Sequence, residues 1–93
     1  MRWATHAKDG NHDEIFAAIR KITWAKDIHN AGLGLGDILA RHIVTKLPVF
    51  IEVKPNAKSP LRESEAEMAV VFGRTGTWRR VNNVDEGIKA VTT

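Results

Sequence analysis

The segment PVFIEVK at positions 48–54 most constrains what this chain can fold into, because a run suited to a buried strand also carries an acid and an amine. Side chains alternate along a strand, so Val49, Ile51 and Val53 face a core while Glu52 and Lys54 project together from the other side. Burying a carboxylate and an ammonium on a short strand costs stability unless something uses them. Asp37 opens the preceding apolar segment, DILARHIV, and places another acid on what reads as the neighbouring strand.

With 93 residues, the chain predicts one domain spanning 1–93, near the size where surface dominates and an oligomer becomes plausible. Fourteen Lys and Arg against eleven Asp and Glu give a net charge of +3, which suits an anionic partner but also many proteins with none. The absence of Cys excludes disulfides and thiolate metal sites and leaves carboxylates and His as metal ligands. MRWATHAKDG lacks the apolar centre of a signal peptide, and no apolar run approaches the ~20 residues of a membrane span. The expectation is a soluble cytoplasmic protein with no membrane partner.

Residues 1–10 read as an N-terminal arm ending in the Asp9-Gly10 turn. Asn11 with Glu14 predicts a capping-box start to a first helix, about Asn11 to Arg20, whose Ile15 and Ile19 face the sheet, with Ile22 at its end or in the next element. A first strand is expected within KITWAKDIH, a second over Ile38 to Val44 and a third over Val49 to Lys54, the last two as a hairpin. Ser59 as cap and Pro60 at the first position predict a second helix with a Leu61, Met68 and Phe72 stripe. Glu65 falls within that stripe and points toward the sheet. Thr77 to Val81 then forms a strand, and Asn83 with Glu86 caps a last helix in which Val84, Ile88 and Val91 face inward. The fold class is α/β, a small mixed central sheet flanked by helices in the order α-β-β-β-α-β-α.

NAGLGLGD contains Gly32, Gly34 and Gly36, but neither the Rossmann nor the phosphate-loop pattern is met, so no nucleotide cofactor is expected. A flexible loop allowing close backbone approach is the better reading. His6, His12, His29 and His42 match no ligand spacing and read as lone, solvated side chains. Asp37, Glu52 and Lys54 converging on one spot would instead suit a divalent cation and a phosphodiester.

Together KDGNHDEI, GLGLGDIL and FIEVKPNAKSPLRESE resemble the PD-(D/E)XK nuclease superfamily, and within it the small phage and prophage nucleases akin to the VRR-NUC group. The resemblance runs from about Lys8 to Val91 and implies a restriction-endonuclease-like core. It further implies a metal-dependent DNA endonuclease in which Asp37, Glu52 and the backbone carbonyl of Val53 hold Mg²⁺ or Mn²⁺. Lys54 would position or activate the attacking water, with Glu14 as a further catalytic acid that helix capping also explains. Gly36 stands where the namesake proline would precede the Asp, and Glu65 or Ala66 falls where relatives often carry Gln; Glu65 is thus a possible accessory group. Lys8, Lys58 and Arg62 are candidate DNA contacts, joined by Arg2, Arg41, Lys46, Arg74, Arg79 and Arg80. Trp78 reads as core, whereas Trp3 suits either base stacking or a dimer contact. By resemblance, a homodimer cutting four-way junctions or other branched DNA is expected. The competing readings are a monomeric single-strand or flap nuclease, and a nucleic-acid-binding module of the same fold without turnover.

Overall fold

A computed structural model describes residues 10–30 and 34–93 of the chain. Its elements are α1 His12–Arg20, β1 Ala25–Asp27, β2 Ile38–Arg41, β3 Pro48–Val53, α2 Glu63–Phe72, β4 Trp78–Val81 and α3 Val84–Thr92, in the expected order. Lys8 and most of the arm assigned to residues 1–10 lie outside the described residues, as does Gly32. The four strands lie side by side in chain order. β1, β2 and β3 form an antiparallel meander, and β4 joins β3 in parallel after a crossover through α2.

Alternation along the strands sorts the two faces of this sheet. Ala25, Ile38, Ala40, Val49, Ile51, Val53 and Val81 form one core with Ile15 and Ile19 of α1 and Ala90 and Val91 of α3. The opposite face carries the row Lys26, Leu39, Phe50 and Trp78 in register, followed by Glu52 beside Arg80. Polar side chains can occupy this second face because the core is already closed on the first. Trp78 is buried there, outside the main cluster, whereas Trp24 is exposed.

Several boundaries differ from the sequence expectation for identifiable reasons. Asn11 makes no side-chain cap; its Nδ2 instead donates to the carbonyls of Lys54 and Asn82, fastening the start of α1 to the ends of β3 and β4. β2 stops at Arg41 rather than Val44 because buried His42 turns the chain, its Nδ1 accepting the N–H groups of Val44 and Thr45. α2 begins at Glu63, not at Pro60, because Arg80 Nη2 donates to the carbonyls of Asn56, Ala57 and Ser59 and holds that segment in turns. A capping interaction forms three residues later, with Arg62 N–H donating to Glu65 Oε1 at 2.7 Å. The expected α2 stripe is consequently incomplete: Phe72 is exposed, as are Val70 and Val71. Asn83 does cap α3, accepting from the Glu86 N–H. Among the described residues, no helix is long and apolar enough to cross a membrane.

Gly87 sets how closely α1 and α3 approach, since a Cβ there would stand 2.9 Å from Ile15 Cγ2, below a normal carbon contact. Ile15 is fully buried and has no space to retreat. Replacing Gly87 by Val therefore wedges these helices apart and is predicted to cost about 1–3 kcal/mol, measurable as a lower urea midpoint. An unchanged midpoint would show that this contact is not tight.

Candidate active site

Backbone pairing brings Asp37 alongside Glu52. The Asp37 N–H donates to the Ile51 carbonyl at 2.8 Å, and the Asp37 carbonyl accepts from the Ile28 N–H at 2.9 Å, so the residue is held from both neighbouring strands. Gly36 reaches this position with φ 138°, where a Cβ would sit 3.0 Å from the Ile51 carbonyl oxygen. Proline cannot adopt that angle, which gives a local reason for glycine rather than proline before this Asp.

The side chains then form a continuous polar array. Asp37 Oδ2 accepts the Val53 N–H at 2.8 Å, and its Oδ1 accepts from His29 Nδ1 at 2.9 Å. The Glu52 carboxyl lies between those of Asp37 and Glu65 and is acted on by both. Glu65, buried on α2, accepts at Oε1 from Lys54 Nζ at 2.8 Å as well as from the Arg62 N–H. Asp37 and Glu52 thus adjoin, Lys54 joins them through Glu65, and the helix spacing that turned Glu65 toward the sheet brings it to the same place. For Val53, it is the N–H rather than the carbonyl that the structure joins to Asp37.

Three adjoining carboxyls, one of them paired with an ammonium, exceed what this buried site can hold as charge. Burial, the hydrogen bond with Asp37 and repulsion from Asp37 and Glu65 push Glu52 up to about 9. Burial also raises Asp37, but hydrogen bonds from Glu52, His29 and the Val53 N–H outweigh it and hold the carboxyl below its ordinary value. Glu65 likewise ends below its ordinary value, with burial overcome by the Arg62 N–H, Lys54 and Glu52. Glu52 therefore carries the site's proton at neutral pH. A divalent cation can replace that proton and restore charge balance, and hard carboxylate oxygens suit Mg²⁺ or Mn²⁺. The donor set therefore fits the ion.

Other assigned residues stand apart from this array. Glu14 is exposed on α1 and enters none of its hydrogen bonds. Lys58 and Arg62 are exposed on the segment between Lys54 and Glu65, flanking the site by chain connectivity. Arg79 and Arg80 are partly buried and serve the fold, Arg79 through the Thr93 carbonyl and Arg80 through the 56–59 turns. The reading of His as solvated fails for His12 and His42, which are buried. His12 Nε2 lies 3.1 Å from Asp27 Oδ2, and His29 bonds Asp37; sequence spacing missed both because each contact joins separate elements. Comparison with models of known families, with curated proteins and with solved structures finds no match to this chain.

Glu52 also sets a pH dependence for the metal-free protein. Its folded value lies above the ordinary 4.5, so its contribution is full below about 4.5 and is lost as pH rises toward about 9. Asp37 and Glu65 act oppositely, since their depressed values withdraw stability only as pH falls through the acid range. Stability without metal should thus decline from pH 5 to 9 by on the order of a few kcal/mol, and Glu52→Gln should flatten the decline. Parallel urea titrations of both proteins across that range check this; identical slopes would contradict a proton on Glu52.

Proposed function

We propose that the protein is a Mg²⁺- or Mn²⁺-dependent deoxyribonuclease of the PD-(D/E)XK type, cutting DNA internally by hydrolysis. One observation carries the reading: Asp37 and Glu52, at adjacent strands, stand side by side in one polar array that continues through Glu65 to Lys54.

In this reading Asp37 and Glu52 would hold the cation, with the Glu52 proton released to solvent. The ion supplies Lewis-acid polarisation of the phosphoryl group and neutralises charge gathering there. The Lys54 ammonium, fixed in direction by Glu65, stands beside the scissile phosphate and orients the incoming water. A P–O bond forms to that water as the P–O bond to the departing sugar oxygen breaks. Hydrogen bonds from His29 and from the Val53 N–H keep Asp37 in one orientation, so little reorganisation accompanies binding. Exposed Lys58 and Arg62 are placed to meet the flanking phosphates.

A homodimer acting on four-way junctions or other branched DNA remains the substrate proposal, and exposed Val70, Val71 and Phe72 at the end of α2 supply apolar surface that a second subunit would cover. A specific observation favours the monomeric single-strand or flap reading as well. Lys26, Leu39 and Phe50 stand in one row next to the Asp37–Glu52 row, with exposed Trp24 and Arg41 beyond them. Cations and aromatics side by side suit an unpaired strand. Sedimentation at micromolar protein with a junction, flap and duplex panel separates the two.

Wild-type protein should nick DNA with Mg²⁺ or Mn²⁺ and stop on EDTA addition. Glu52→Gln should remove detectable nicking, and Lys54→Ala should lower it by about 10²–10³-fold, with circular dichroism confirming each fold. Full activity in either variant removes the site from consideration, and binding without cleavage at any divalent ion favours the non-catalytic module.

A further inference from the structure

Two imidazoles come together beside Asp37, and the mechanism above uses only His29, to orient that carboxylate. His12 comes from the first turn of α1, His29 from the segment after β1, and Asp37 from the start of β2. Each offers a ligand atom, and these atoms lie within 4.8 Å of one another. The His12 and His29 rings meet edge to face with centroids 5.6 Å apart. His12 is 1% exposed, an expensive place for an imidazole that packing alone would not require.

We propose that His12, His29 and Asp37 form a second cation site, sharing Asp37 with the Asp37–Glu52 pair beside it, that takes an imidazole-preferring divalent ion of the Zn²⁺ class. Nitrogen donors suit Zn²⁺ and disfavour Mg²⁺, whereas the all-oxygen pair beside it has the reverse preference. Zn²⁺ with bonds of about 2.0–2.2 Å sets tetrahedral donors roughly 3.4 Å apart, so small side-chain rotations close the present spacing. Two neutral imidazoles and one carboxylate leave a fourth position open, the pattern of a zinc site that also takes water or a ligand oxygen. Asp27 is the positioning residue. Its Oδ2 meets the His12 ring at 3.1 Å and its Oδ1 accepts the His29 N–H at 3.0 Å, so one carboxylate ties together the two segments that bear the ligands. Outer carboxylates of this kind orient histidine ligands in metal sites. Asp27 and Asp37 together also supply the two negative charges that a divalent ion balances.

The site is tested by long-range proton–nitrogen spectra of protein labelled with ¹⁵N-histidine, titrated with Zn²⁺ alone. One equivalent should shift ring nitrogens of His12 and His29 together and leave His42, which is occupied with the Val44 and Thr45 N–H groups, where it was. His29→Gln, at a partly exposed position, should abolish the His12 shift at one equivalent, and Glu52→Gln should preserve both shifts. Because His12→Gln carries the greater risk to folding, the wild-type spectrum and His29→Gln suffice. Shifts at only one of the two rings, an equal shift at His42, or persistence of the His12 shift in His29→Gln would overturn the proposal. Loss of both shifts in folded Glu52→Gln would also overturn it, by merging the two sites into one. None of these results bears on Mg²⁺-dependent nicking, so the nuclease reading and this site fail separately.

Discussion

The structure depends on an electrostatic imbalance at the ends of β2 and β3, where Asp37, Glu52 and Glu65 adjoin one another and the Lys54 ammonium pairs with Glu65. Ordinary core packing would not assemble such a group, because each buried carboxylate loses solvation that one cation cannot restore to all three. The folded chain resolves the conflict by leaving a proton on Glu52 and surrounding Asp37 and Glu65 with donors. That arrangement holds a place for positive charge without filling it permanently. In the proposed function a divalent ion would exchange with that proton.

The rest of the fold positions this imbalance. α1 and α3 close one face of the sheet around Ile15, Ile19 and Val91, meeting tightly at Gly87, and leave the other face free for polar rows. Asn11 stitches α1 to the Lys54 and Asn82 carbonyls, so the helix bearing His12 is anchored to the strands bearing the carboxylates. Arg80 gathers the turns after β3 and delays α2 until Glu65 can accept from both Lys54 and the Arg62 N–H. Arg80, expected as a phosphate contact, is thereby spent on architecture, and exposed Lys58 and Arg62 lie on the segment that joins Lys54 to Glu65.

Much of this was legible in the sequence where the determining interactions are local. Alternation placed Glu52 and Lys54 on one face, helical spacing turned Glu65 inward, and the element order followed from apolar periodicity. The start of α2 was not legible, because Ser59 and Pro60 form a good local helix signal that the distant Arg80 guanidinium overrides. The short β2 hides behind His42, whose ring replaces strand pairing with a turn. His12 and His29 were missed for a similar reason: their meeting depends on how α1 packs against the sheet, and no spacing along the chain encodes it. Glu14, an acid assigned a role by resemblance, stands on the exposed side of its helix.

The central claim is that a hard divalent cation binds between Asp37 and Glu52 in place of the Glu52 proton. Anomalous diffraction from crystals soaked in Mn²⁺ tests it most directly. The account predicts a peak bridging the two carboxylates, with Lys54 still paired to Glu65 and facing it. Carboxylates that remain bonded to each other at saturating Mn²⁺, with no density between them, would contradict it.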